Sequence, residues 1–265
     1  MFLLFYSNTE GIPYNVKKYH YADGVQIRMY EKPLYKGYTM DRDVSETKTN
    51  LTIEQLEEKH KRSIESSMNR TIQNIYGIAR ANIWEWFITL TINPQKLDST
   101  DYDLVTKKAS QWLKNLKKRV APDMKYILVP ELHSDGYKWH IHGLLSDCNE
   151  LAFENTSIVK NGKVIYNLDN WKYGFSTATQ VEHTGKVSRY ITKYITKDLC
   201  ELSQGRRRYW CSLNCFRMND VLEIDFLSDS EKEDYIKDIA TNIQYMKFSE
   251  CVKSKQLVKY IEVMP

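Results

Sequence analysis

The sequence predicts an α+β fold, a central antiparallel sheet with backing helices in a split βαβ arrangement, extended by N- and C-terminal appendages. Three observations predict it. Short runs rich in aromatic and β-branched residues recur between residues 84 and 181. Turn dipeptides Asp135-Gly136 and Asn161-Gly162 sit between apolar runs, as hairpins require. Two stretches with apolar residues at helical spacing flank those strands. The chain divides on this reading into an N-terminal strand and helical extension (1–83), a core (84–200) and a C-terminal extension (201–265) that serves as a DNA-binding or packing module.

The elements come in this order. A strand is expected near Val25 to Tyr30, closed by Pro33 and Gly37. Thr52 opens a polar helix toward Ala81, with the T-I-E-Q run as a capping box. WEWFITLTIN, from Trp84 and closed by Pro94, reads as a buried strand. Thr100 and Asp101 start a helix whose stripe of Val105, Ala109, Trp112, Leu113, Leu116 and Val120 should pack on the sheet. YILVPELH from Tyr126 and YKWHIHGLL from Tyr137 form a hairpin about Asp135-Gly136, both expected at positive φ with Ser134 facing Tyr137. SIVK and KVIYNL make an inserted hairpin, Phe175 to Val181 a strand, and Thr184 to Leu199 one helix. In the tail a strand near Val221 to Phe226 precedes a helix after Ser230.

Composition excludes several classes. With 42% hydrophobic and 12% aromatic residues over 265 positions, the chain is neither disordered nor low in complexity. The 38 basic and 34 acidic residues leave a net charge of only +4, so local clusters must identify any nucleic-acid contact. The apolar run Met1 to Tyr6 lacks a basic flank and is too short for a signal or a membrane span, so a cytoplasmic protein without a membrane partner is expected. Five cysteines without a framework spacing fit reduced thiols; Cys211 and Cys215 form a C-x3-C that no neighbouring pair completes as a zinc site.

The hairpin makes a chemical prediction. Its register sets Glu131 opposite His140, and strand residues two apart share a face at about 6.6 Å, so His140, His142 and Glu131 converge. Two imidazoles and a carboxylate with open positions suit a catalytic divalent cation, Mg²⁺, Mn²⁺ or Zn²⁺. His133, diagonal to His140, is the reserve ligand. Further on, Y-I-T-K occurs twice in tandem at Tyr190 to Lys197. A helix would set Tyr190 and Tyr194 one turn apart on one face, with Lys193 and Lys197 likewise, at the border of the apolar stripe Val187, Ile191, Ile195 and Leu199. A phenol is a weak nucleophile, and a metal and lysines beside the phosphate would offset that weakness.

FITLT at Phe87 to Thr91, HIHGL at His140 to Leu144 and YITKYITK at Tyr190 to Lys197, in that order, resemble the HUH endonuclease superfamily. More narrowly they resemble the two-tyrosine initiators of rolling-circle replication in small plasmids and single-stranded DNA phages. The resemblance covers roughly Trp84 to Leu199. It implies a ferredoxin- or RRM-like nuclease core and a divalent cofactor, Mg²⁺ or Mn²⁺, held by His140, His142 and Glu131. Tyr190 and Tyr194 are then the nucleophiles, with Lys193 or Lys197 at the phosphate. The implied activity is nicking and rejoining of single-stranded or hairpin origin DNA through a 5′-phosphotyrosine. Host helicase and DNA polymerase are the implied partners, since no G-x-x-x-x-G-K-[ST] occurs. Arg206, Arg207, Arg208 and Trp210 are the candidate DNA contacts. The competing readings are a relaxase or single-strand transposase of the same superfamily, and a non-catalytic single-strand binding protein.

Overall fold

The computed structural model describes residues 11–36, 52–251 and 256–263, so the Met1 to Tyr6 run, the Gly37 break and the side chain of Cys251 lie outside the described residues. The chain opens with β1 (Ile12–Tyr21) and β2 (Gly24–Lys36), a hairpin that belongs to the smaller of two compact units. The larger unit begins with α1 (Ile53–Arg80), where Thr52 and Gln55 cap each other reciprocally as the sequence predicts. Such a cap contributes about 1 kcal/mol.

Next come β3 (Trp86–Thr91) and α2 (Tyr102–Arg119), the latter capped by the Asp101 carboxylate on the Leu104 amide. β4 (Lys125–Leu132) and β5 (Trp139–Ser146) form the central hairpin, and β6 (Phe153–Lys160) and β7 (Lys163–Leu168) the second one. β8 (Ser176–Gln180) leads into α3 (Thr184–Ile191) and α4 (Lys197–Leu202), and β9 (Trp210–Cys211) is a short edge strand. The larger unit's sheet has the order β6-β7-β8-β3-β5-β4-β9, every neighbouring pair antiparallel. β3 and β4 flank β5 and are joined through α2, which is a split βαβ connection. The fold is α+β with a central antiparallel sheet.

Alternation sorts the two faces of that sheet. Ile88, Leu90, Ile141, Leu145 and Leu128 are wholly buried on one face. Trp139 of that face meets Tyr102 of α2 edge to face at 4.8 Å, so α2 backs the apolar side with Val105, Ala109, Leu113 and Leu116. Each large aliphatic side chain buried this way contributes about 2 kcal/mol. Gly143 belongs to the same face: a Cβ there would stand 2.2 Å from Leu128 Cδ2 and 2.8 Å from the Ile127 carbonyl oxygen, so only glycine fits beside the two histidines. The other face presents Phe87, Thr89, Glu131, His140 and His142, and is covered in part by α3 and the segment after it, against which α1 lies.

The remaining elements are β10 (Leu222–Asp225), α5 (Asp229–Asp238), β11 (Ile243–Cys251) and β12 (Gln256–Val263). They join the N-terminal hairpin in a five-stranded sheet, β10-β1-β2-β12-β11. Ile27, Met29, Val16 and Ile261 form its own small core, with Tyr235, Ile236 and Ile239 packed on them. The chain therefore divides as residues 1–50 with 219–265 against 51–218, where the sequence reading divides it at 83 and 200. Strand pairing between distant segments produces this difference, and no local signal encodes such pairing. No described helix is long and apolar enough to cross a membrane.

Candidate functional site

The hairpin register places the acidic and imidazole groups. Glu131 pairs with His140 and Leu132 with Trp139, as the turn predicts. The turn itself differs. His133 closes it by hydrogen bonding with Lys138 and Gly136, and only Gly136, at φ 77°, adopts positive φ. The Asp135 carboxylate instead accepts from the Tyr137 and Lys138 amides, which holds its pKa below the ordinary range. The strand register survives because a loop lengthened by one residue on each side leaves the opposing pairs unchanged.

His142 is the buried centre of the site. Its Nε2 lies 2.6 Å from Glu131 Oε2 and its Nδ1 3.1 Å from Thr89 Oγ1. Thr89 is its cross-strand neighbour on β3, so one ring nitrogen is anchored and the other aimed at the carboxylate. The His140 ring lies 4.8 Å from that of His133. Burial, followed by the neighbouring His133 and His142, lowers the His140 pKa.

Both tyrosines reach this place, by different routes. The helix expected from Thr184 to Leu199 is broken: α3 stops at Ile191, residues 192–194 form a 3-10 turn, Ile195 is extended, and α4 restarts at Lys197. Thr196 causes the restart. Its hydroxyl caps the Leu199 amide at 3.1 Å, with Asp198 favourably placed in the first turn. The tyrosines consequently do not share one helix face at the border of the core. Tyr194 is buried, its ring stacked on His142 at 3.7 Å and 5°, whereas Tyr190 remains 44% exposed. The two rings meet edge to face at 5.6 Å, and Phe87 contacts both. Burial, the hydrogen bond with Tyr190 and the Glu131 charge together push the Tyr194 phenol well above the usual tyrosine range.

The lysines also separate. Lys193 Nζ stands 5.1 Å over the Tyr190 ring, while Lys197 pairs with Glu65 of α1 at 3.0 Å. In the arginine triplet, Arg208 is committed to the fold: its guanidinium donates to Ser67, Ser203 and the Cys200 carbonyl. Arg206 pairs with Asp103 at 3.3 Å, the Arg207 carbonyl accepts from the Tyr102 hydroxyl, and Trp210 pairs with Leu128 in the sheet. Only the Arg206 and Arg207 side chains keep the outward role the sequence reading gives the triplet. The described cysteines, 148, 200, 211 and 215, are free thiols; Arg217 donates to Cys211 Sγ at 3.2 Å.

Two residues here escape sequence reasoning, Phe87 and Thr89, which the FITLT motif suggests only as scaffold. The alternation Phe87-Thr89-Thr91 against the wholly buried Ile88 and Leu90 is the signal that could have found them. Among the described residues no three His, Cys, Asp or Glu side chains converge closely enough to hold a metal ion as they stand. The donor set nevertheless fits a divalent cation. A buried imidazole with one nitrogen anchored by Thr89 faces a carboxylate, and a second imidazole lies on the same sheet face.

The chain finds no match among curated proteins or among solved structures. Residues 85–199, somewhat under half of the chain, match a family of replication-associated proteins, the ORF2 type, a likeness that spans β3 through α4 and supports a role in initiating replication.

Proposed function

We propose that this protein initiates rolling-circle replication as a metal-dependent strand transferase, nicking single-stranded or hairpin origin DNA and holding the 5′ end on tyrosine. The observation that carries the reading is the stack of Tyr194 on His142 at 3.7 Å with Tyr190 beside it, which brings phenols and imidazole to one place from positions almost fifty apart. The family match over the same segment supports it.

His140, His142 and Glu131 would hold Mg²⁺ or Mn²⁺, and a cation bound there draws negative charge from the scissile phosphodiester and orients it. Binding it requires the proton between His142 and Glu131 to leave and the His140 ring to turn from His133. Thr89 keeps His142 from rotating as this happens. Tyr190, the exposed phenol, takes the first transfer: its oxygen attacks phosphorus, the 3′ oxygen departs with a proton, and the 5′ phosphate stays on the enzyme. Lys193 supplies positive charge near that phosphate. Tyr194, held against His142, serves the second transfer, when the copied strand is cut and closed. Host helicase and polymerase would unwind and extend the released 3′ end. Localisation in the cytoplasm belongs to the same proposal.

The test uses a pool of random-sequence single-stranded oligonucleotides labelled at the 3′ end, with Mn²⁺. A denaturant-resistant protein–DNA adduct is expected, absent with chelator and absent in the Tyr190→Phe, Tyr194→Phe double variant. An adduct that survives either treatment overturns the assignment. Binding without any adduct would instead favour a non-catalytic single-strand binder.

A further inference from the structure

A groove of about 600 Å³ opens directly beside Tyr190 and Thr89, running away from the histidines across β8 toward the tip of the β6–β7 hairpin. The inserted hairpin builds its outer wall. Asn161 and Gly162 at its tip both take positive φ, 51° and 76°, the tight turn their dipeptide predicts. At its base, Phe153 stacks on Trp86 at 4.0 Å and Tyr166 meets the same indole edge-on at 5.0 Å, which pins the hairpin to the sheet's far face. Toward the tip it diverges: β7 pairs with β8 only through Tyr166 and Ala178. Lys163 bridges the gap, donating to the Gln180 carbonyl at 3.1 Å and standing 3.6 Å from Glu182.

The lining has a distinct chemistry. Lys160 on the hairpin and Lys186 on α3 project from opposite walls, both exposed, and neither has an ion pair among the described residues. Thr177 and Thr179 supply hydroxyls along the floor, next to Thr89 and Phe87 in the sheet. At the inner end Phe87 and Tyr190 offer aromatic surface. Cations on two walls, hydroxyl donors on the floor and rings at one end match a single nucleic-acid strand, whose phosphates meet the former while an unpaired base stacks on the latter. A duplex has its base faces already stacked and leaves the aromatic end unused.

We infer that the groove between the β6–β7 hairpin and α3 binds the single DNA strand flanking the cleaved phosphate, with Lys160 and Lys186 gripping its backbone from either side. The inference rests on the strand-transferase reading for what happens at Tyr190, but binding is separable from cleavage. Fluorescence anisotropy of a labelled fifteen-nucleotide oligothymidine, in chelator so that no adduct forms, measures it. Lys160→Glu with Lys186→Glu should weaken binding about tenfold and make the dependence of log K on log salt shallower by about 1.4, two phosphate contacts at roughly 0.7 each. Lys114→Glu with Lys118→Glu, exposed on α2 and equal in charge change, should shift affinity less than about twofold. Duplex of the same length should compete poorly. Equal losses in both double variants, or none in the groove variant, would overturn the proposal. Groove-dependent binding in a protein that never forms an adduct would sink the strand-transferase reading and leave the groove standing; adduct formation with lysine-independent binding would do the reverse.

Discussion

The tetrapeptide Tyr-Ile-Thr-Lys occurs twice in succession, and the two copies have different structures. In the first, Tyr190 and Ile191 end α3, the Thr192 hydroxyl bonds back to the Arg189 carbonyl at 2.7 Å, and Lys193 stays beside its own copy's phenol. In the second, Tyr194 is buried on His142, Ile195 is extended, Thr196 caps a new helix, and Lys197 reaches across to Glu65. Identical local propensity therefore decides neither conformation. The surroundings decide: Asp198 and Leu199 favour a fresh helix start after Thr196, while burial of Tyr194 and Ile195 pulls the chain inward before it. Duplication of a motif supplies two phenols, and the fold gives them unequal access.

The largest expected effect breaks this comparison at the chemistry. Tyr190→Phe should reduce the first-cleavage adduct by at least about a hundredfold, while Tyr194→Phe leaves that step and loses the second transfer. Timed adduct formation and strand-joining assays separate the two, and reversed roles would show that exposure does not set the order. Next comes the shared centre. Glu131→Ala should weaken Mn²⁺ binding, followed by isothermal titration, about ten- to a hundredfold and more than His133→Ala does. A larger effect at His133 would mean the hairpin histidines bind the cation differently.

The threonines sharpen the comparison through stability. Thr196→Ala removes a helix cap and should cost about 1 kcal/mol in denaturant unfolding, whereas Thr192→Ala, losing only a back-bond to Arg189, should cost about 0.3 kcal/mol. Equal costs would mean α4 does not depend on its cap. The smallest effect is electrostatic. The Lys197 ammonium lowers the Glu65 pKa, so the pair's contribution is present above the ordinary value of 4.5 and lost as pH falls through the depressed one. Melting curves of the protein and its Glu65→Gln variant should converge on acidification below pH 4.5, and a gap persisting at lower pH would assign the effect elsewhere.

Much of the larger unit is legible in the sequence. The α1 capping box, the Asp101 cap of α2, the strands from Trp86 to Gln180 and the Glu131–His140 pairing follow from capping chemistry, alternation and turn residues. The helix restart at Lys197 is written in Thr196 and Asp198 but obscured by the repeat's regular spacing. The anchoring of His142 by Thr89 is not legible, since it depends on which strand lies beside β5. Nor is the inward turn of Arg208 onto Ser67, a partner far off in the chain.

By itself the sequence determined which segments are strands and helices, the register of the central hairpin and the residue types able to bind metal and attack phosphate. These depend on interactions between near neighbours. Only the tertiary structure decided that β10, β11 and β12 join β1 and β2, that one phenol is covered and the other open, and that a lysine-lined groove leads to the open one. Those outcomes come from apolar surface buried between distant segments, which fixes positions that no short stretch of chain specifies.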